Sequence, residues 1–320
     1  MRAALAFLFV LLAVRPTPAA GFQENFSGNP AASGWRIFGD PNLFQWDATN
    51  QNLRVTWDSA QTNSYFHHPL GTILARDDTF SLAFDVRLDD IGVGTQTNKP
   101  FPMPIAVGFL NLGNATRTNF IRGTGTGSPN LVEFSYFWDA GFGPTVWPIC
   151  ISSNSSFNFN GASDYLILEL TPGDTYHVEM TFAAGTLATA LTNLTTLAGA
   201  TVTSTLGGGF TDFRLDTIAV SSYSDTSTPD SVLAHGTVDN LSIVLPPPPV
   251  QDLRGAFAGN QWQAPFTART NWLYTLERTE DFQSWTAASP ATPGVNGTLT
   301  LTDTNAPGGK MFYRVRAERP

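Results

Sequence analysis

The sequence predicts an all-β protein: a large antiparallel β-sandwich, a short proline spacer and a small second β module. Three features of the 320 residues carry that expectation. Threonine, valine, phenylalanine and isoleucine alternate with polar residues in almost every segment after Gly21, the pattern of strands with one buried face. Glycine, proline, asparagine and aspartate break those runs at short intervals, as turns between strands require. No segment carries a persuasive helical period. The best candidate, 187–198 (LATALTNLTTLA), is rich in β-forming threonine and interrupted by Asn193, so it reads as strand–turn–strand. About a dozen or more short strands of this kind close into a sandwich or barrel.

The first twenty residues stand apart. Arg2 precedes an unbroken apolar run at 3–14 (AALAFLFVLLAV), and Pro16, Thr17, Pro18, Ala19 and Ala20 supply a small-residue cleavage region. Residues 1–20 therefore read as a secretory signal peptide cut after Ala19 or Ala20. The run is too short for a membrane-spanning helix, which needs roughly twenty apolar residues, and no comparable run follows. The expected product is exported, without a transmembrane segment, and secreted or held at the cell surface.

Charge and cysteine content narrow the chemistry. The net charge is −9, from 17 Lys and Arg against 26 Asp and Glu, which leaves no basic face for nucleic acid. Cys150 is the sole cysteine, which excludes an intramolecular disulfide and a cysteine-based zinc site. It sits in an apolar stretch, WPICI at 147–151, and is expected to be a small buried side chain with no nearby cation to activate it. Stability must then come from a sizeable core, and the chain is long enough to build one.

In chain order, 22–26 (FQENF) is the expected first strand, ended by the turn Ser27, Gly28, Asn29, Pro30. Strands at 35–38 and 43–46 flank the turn Gly39, Asp40, Pro41. Residues 52–57 (NLRVTW) place Leu53, Val55 and Trp57 on one face, and a strand at 64–68 ends at Pro69. Residues 79–88 (TFSLAFDVRL) alternate most cleanly, with Phe80, Leu82, Phe84, Val86 and Leu88 inward. A loop rich in glycine and proline, 91–104, leads to a buried strand at 105–110, and a glycine-rich stretch, 123–128, precedes the next. That next strand sets Val132, Phe134, Tyr136 and Trp138 on one side and Glu133, Ser135 and Phe137 on the other. It breaks into the turn DAGFGP at 139–144.

A polar loop at 152–161 follows. Residues 165–170 and 176–182 are expected to form a hairpin around Thr171, Pro172, Gly173 and Asp174, with Glu169 facing His177. Strands at 210–220 and 235–245 complete the sandwich, 21–245. Four prolines at 246–249 mark a semi-rigid linker, 246–250. The remainder, 251–320, repeats the strand style in miniature at 272–278, 298–302 and 311–317. Its size lies near the lower limit for independent folding without disulfides, a reason for it to lean on the sandwich.

Four segments together resemble the concanavalin A-like lectin/glucanase sandwich, of the LamG-like kind found in exported bacterial proteins. They are FQENFSG at 22–28, TFSLAFDVRLDDI at 79–91, NLVEFSYFWDAGFG at 130–143 and HGTVDNLSIVL at 235–245. The resemblance implies a jelly-roll sandwich, a fold that hosts lectins, hydrolases and adhesion modules alike. YTLERTEDFQSW at 274–285 and FYRVRA at 312–317 resemble a short fibronectin type III-like module.

The resemblance to glucanases would call for Glu-x-Asp-x-Glu or Glu-x-Asp-x-x-Glu on one strand, and this chain has neither. Glu133 and Asp139 would lie roughly 20 Å apart along an extended strand, whereas the paired carboxylates of glycosidases work at about 5–10 Å. Asp85, Arg87 and Asp89 alternate as a surface ion cluster, and His67 and His68 point to opposite faces, poor co-ligands for one metal. Non-catalytic glycan binding or adhesion is therefore the leading expectation. The alternatives are a hydrolase or lyase with an unorthodox site, and a structural envelope component whose C-terminal module docks another protein.

Trp138, Asp139, Phe142 and Trp147 form the candidate saccharide platform: rings for stacking and a carboxylate to accept sugar hydroxyls, unless Trp138 is core. The cofactor to weigh is a structural calcium. Glu24 in the first strand and Asp239 in the last would supply hard oxygen ligands if those strands pair, unless Asp239 and Asn240 simply form a bulge.

Overall fold

The computed structural model describes residues 20–94, 104–122, 128–224 and 231–320. Residues 1–19 of the expected signal peptide, most of the loop expected at 91–104 and the glycines of 123–127 lie outside the described residues. The first strands are β1 (Ala20–Glu24), β2 (Arg36–Phe38), β3 (Phe44–Asp47), β4 (Asn52–Asp58), β5 (Ser64–Leu74) and β6 (Phe80–Gly92). β7 (Ile105–Leu110), a helical turn α1 (Leu112–Ala115), β8 (Leu131–Phe137), β9 (Thr145–Val146), β10 (Ile149–Ile151) and β11 (Leu166–Ile167) follow. β12 (Thr175–Ala183), β13 (Thr186–Asn193), β14 (Gly199–Thr205), β15 (Leu215–Ser222) and β16 (Leu233–Leu245) complete the larger part. Among the described residues no helix is long and apolar enough to cross a membrane.

These strands form two antiparallel sheets of eight strands each, an instance of the antiparallel sandwich that the sequence predicts. One runs β14-β13-β12-β6-β16-β4-β3 with β1 added along β16; the other runs β11-β9-β8-β7-β15-β5-β2 with β10 added along β8. The chain passes repeatedly between them, from β4 to β5, β6 and β7 and again from β14 to β15 and β16, the winding of a jelly roll. The core lies between the sheets. Phe84 of β6 meets Phe134 of β8 edge-on with centroids 5.6 Å apart, and Phe80 meets Phe109 of β7 at 5.2 Å. All five inward residues expected in β6 are buried, as are Tyr176, Val178, Met180 and Phe182 of β12.

The expected hairpin between 165–170 and 176–182 does not form. β12 pairs instead with β13 on one side, through the two-residue turn Ala184 and Gly185, and with β6 on the other. Both turn residues have positive φ, 49° and 75°, the geometry that matches the twist of a tight hairpin. Residues 165–170 belong to the opposite sheet, where only β11 is ordered as strand, against β9. Gly173 turns the chain over between the sheets, its N–H donating to Leu88 O at 2.7 Å. His177 consequently faces Asp85, at 2.6 Å, and not Glu169. β5 also runs on through Pro69. β2 pairs only with residues 65–67 of β5, so the missing proline N–H falls where that flank is open.

β8 is buried on both faces. Its outer face carries Glu133, 1% exposed, whose Oε1 accepts from Arg122 Nε at 2.7 Å and whose Oε2 accepts from the Tyr223 hydroxyl at 2.8 Å. Arg122, 0% exposed, also donates to Ser135 Oγ at 3.2 Å. Tyr65 donates to Ala115 O and so ties α1 to the same face.

The C-terminal residues build two further sheets from β17 (Ala256–Ala258), β18 (Gln261–Ala268), β19 (Leu273–Thr279), β20 (Thr286–Ala287), β21 (Thr292–Pro293), β22 (Gly297–Asp303) and β23 (Phe312–Glu318). One is β17-β18-β22, and the other sets β20, β21 and β23 along β19. Phe266, Trp272, Tyr274, Leu276 and Leu301 form their own small core. β18, which is not among the expected strands, contains Pro265. The proline is accommodated where β17, which reaches only residues 261–263, has ended.

Buried charge holds this part against the sandwich. Asp78, 2% exposed, accepts from Arg269 Nη2 and from Arg319 Nη1, each at 2.5 Å, and from the Ala75 N–H at 2.9 Å. The Arg319 side chain is also buried, pairs with Asp77 and lies 5.5 Å over the Trp272 ring. The proline linker is held as well: Pro247 O accepts from Arg269 and Pro249 O from the Tyr274 hydroxyl.

Removing one partner of a buried pair strands the other. Asp78→Ala is expected to cost about 3–5 kcal/mol in denaturant unfolding, since it leaves Arg319 without its buried carboxylate. Glu133→Ala is expected to cost a similar amount, about 3–5 kcal/mol, with Glu133→Gln milder because it keeps a hydrogen-bonding shape. An unchanged unfolding midpoint in either alanine variant would mean that the ion pair does not support the fold.

Candidate functional site

The turn after β8 is shaped by its own residues. Asp139 Oδ1 accepts from the Gly141 N–H at 2.7 Å, and Ala140 N–H donates to Gly143 O at 3.1 Å. Gly141 and Gly143 take φ of 82° and 111°, which side-chain-bearing residues rarely adopt. The chain then returns along β9, and Trp147 N–H donates to Ser135 O at 2.8 Å. This brings Phe142 and Trp147 into one group of rings at the edge of the second sheet.

That group is larger than the turn. Phe142 lies 5.1 Å from Tyr165, Tyr165 lies 5.3 Å from Trp147, and Trp147 lies 5.3 Å from Phe159 and 5.6 Å from Phe157, all between ring centroids. Phe142 and Phe159 are 48% and 51% exposed, and Ile167, across from Thr145 on β9, is 66% exposed. Trp147 is half-buried, also touching Phe137, and its Nε1 is buried without a partner, so the indole offers ring surface and no donor. Trp138 is half-buried and makes no ring contact with the group; Asp139 is exposed, with Oδ1 engaged in the turn. Of the four residues singled out from sequence, Phe142 and Trp147 are thus brought together, Asp139 flanks them, and Trp138 stands aside.

Phe157 and Phe159 escape a sequence reading that takes 152–161 as a polar loop, and Tyr165 escapes one that takes 165–170 as a hairpin strand against 176–182. The available signal is the alternation Phe157-Asn158-Phe159-Asn160, which sends rings one way and amides the other. The amides anchor the loop to β14. Asn158 Nδ2 donates to Ser204 Oγ at 2.9 Å and its Oδ1 accepts from Gly207 N–H at 3.0 Å, while Asn160 Nδ2 donates to Thr205 O at 2.8 Å. With Asn158 buried and both amides tied to β14 and the turn after it, the phenylalanines face Trp147.

On the opposite sheet, β1 and β16 do pair, with Glu24 across from Leu241. Asn240 has φ of 50° and the register of β16 shifts between Asp239 and Ser242, a bulge. Glu24 Oε1 accepts from Phe26 N–H and Oε2 from the Ser33 hydroxyl, both at 2.8 Å, and Asp239 Oδ1 accepts from Asn240 N–H at 2.7 Å. The Asn240 amide donates to Asp85 Oδ2 at 2.8 Å. Burial pushes the Asp239 carboxyl above its usual range; the Asn240 N–H pulls it back, and the Asp85 and Glu24 carboxylates add to the rise. Among the described residues no three of His, Cys, Asp and Glu are grouped to hold a metal ion.

Elsewhere on the surface, Arg87 pairs with Asp89 at 3.2 Å and His235 with Asp90 at 2.8 Å. Cys150 is 2% exposed, and burial pushes its thiol well up.

No family model matches the chain, and no curated protein matches it significantly. Among solved structures it is similar to peanut lectin with a nine-residue peptide, at 15% identity and a TM-score of 0.44, over 72% of this chain and 100% of that one. It is likewise similar to lectin UEA-II complexed with galactose, at 12% identity, TM-score 0.44 and the same coverage of 72% and 100%. Arcelin-5, a lectin-like defence protein from Phaseolus vulgaris, gives 11% identity, TM-score 0.44 and again 72% and 100%. Identities this low say nothing about a ligand, and the sandwich architecture rests on the strand pairing itself.

The carboxylates around the β16 bulge make a prediction with opposite signs for two cases. A carboxyl raised in the fold costs stability while ionised, and that cost disappears as pH falls through the raised value. Asp239→Asn is therefore expected to raise the thermal midpoint at pH 7, with the gap from the unsubstituted protein closing on acidification. A calcium ligand would behave the other way: the substitution would lower the midpoint, and added calcium would raise it only in the unsubstituted protein.

Proposed function

We propose that this chain is an exported, non-catalytic carbohydrate-binding protein that holds glycans against the ring group of Phe142, Tyr165, Trp147 and Phe159. The observation that carries the reading is the half-exposure of Phe142 and Phe159 at the two ends of a continuous row of rings. Large aromatic faces left open to water, with few polar groups beside them, suit the apolar faces of sugar rings. A non-catalytic role is supported by the state of Glu133, the carboxylate of the strand that leads into the site. Both of its oxygens are taken up by Arg122 and Tyr223, away from solvent. Export is supported by the leader at 1–20, and N-terminal sequencing that starts at Ala20 or Gly21 would test it.

Exposed rings make better probes than Trp147, whose half-buried indole also supports its neighbours. The double variant Phe142→Ala/Phe159→Ala is expected to lose retardation in affinity gels that contain polysaccharide, while its stability changes by only about 0.5 kcal/mol per site, as surface substitutions do. Equal retardation of the variant and the unsubstituted protein would remove the site.

A further inference from the structure

The ring group also bears on which glycans it takes, an inference that rests on the glycan reading above. No lysine or arginine occurs between Arg122 and Arg214. Every ring of the group falls inside that stretch, as do the exposed carboxylates Asp139 and Glu169. The charged side chains closest to the rings in the sequence are thus carboxylates, which repel a uronate, a sulfate or a phosphate. This repulsion acts through water and is short-ranged at physiological salt, on the order of 8 Å, so it selects without adding affinity.

The geometry of the rings selects further. Phe142 and Tyr165 are inclined at 33°, Tyr165 and Trp147 at 44°, and Trp147 and Phe159 at 48°. A flat crystalline face can stack only on coplanar rings, so at most one or two of these could touch it at once. A soluble chain that twists from one sugar to the next can meet each ring in turn. The successive spacings, 5.1, 5.3 and 5.3 Å, are comparable with the step from one sugar ring to the next. The row lies at a sheet edge with its two end rings exposed, so a long chain can continue past both ends.

We propose that the ring group binds an internal stretch of a neutral, soluble polysaccharide chain, and neither an acidic glycan nor a crystalline polysaccharide surface. Affinity electrophoresis of the full secreted chain in gels containing hydroxyethylcellulose, galactomannan, arabinoxylan or polygalacturonate tests it, with a pull-down on microcrystalline cellulose alongside. The expected result is retardation by at least one neutral gel with an affinity about tenfold or more above that for polygalacturonate, no depletion by the crystalline solid, and loss of the retardation in Phe142→Ala/Phe159→Ala. Tighter binding to polygalacturonate, or depletion by the solid, that the double variant abolishes would overturn the neutral, soluble class while leaving the patch as a glycan site. Absence of binding to every probe, or binding that the double variant retains, would overturn the glycan reading of the patch and this inference with it.

Discussion

Burial of Glu133 constrains this molecule more than any other single feature. A carboxylate on a strand buried on both faces is untenable alone, because an unpaired charge away from water costs far more than one domain can spare. Arg122 has to meet it, and the segment that carries Arg122 has to lie across the second sheet. Tyr223 and Tyr65 complete the same cover: burial, then the Glu133 carboxylate, raise both phenols well above their ordinary range, so they act as hydrogen-bond donors. Gly108, opposite Glu133 on β7, leaves room for the arrangement, since a Cβ there would come within 2.4 Å of Glu133. The outer face of β8 is therefore structural, and what remains open to solvent is displaced to the end of the strand, where the turn at Asp139 begins.

The same logic operates between the sandwich and the C-terminal sheets. The small core around Tyr274 and Leu276 is modest for a unit of its size, and about 70 residues seldom supply a comfortable margin of stability unaided. Asp78 accepts two arginines from that unit, at 269 and 319, and the prolines of the connecting stretch lend carbonyls to Arg269 and Tyr274. A polyproline spacer would ordinarily hold two units apart. Here its carbonyls are themselves part of the joint.

Rings gather at the sheet edge because polar side chains hold the backbone that bears them. Asn158 and Asn160 spend their amides on β14 and the turn after it, which leaves Phe157 and Phe159 on the far side of the loop. Asp139 spends an oxygen on the turn that presents Phe142. The patch is therefore assembled from β8's turn, the return strand and the loop after β10, and no single segment would form it alone.

Sequence by itself determined the all-β class, the inward faces of β6 and β12, and the strand and turn of 187–198. Each follows from a period of two or from a turn composition, which act between near neighbours in the chain. Only the tertiary structure decided which strand lies beside which. An apolar face with a period of two is satisfied by any like-faced neighbour, so Tyr165 to Leu170 and β12 looked equally matched, while β12 in fact lies between β6 and β13. The same limit hid the pairs Arg122–Glu133, His177–Asp85 and Arg319–Asp78. It hid the approach of Phe159 and Tyr165 to Trp147 as well, because contacts between distant residues leave no mark on the local pattern of either partner.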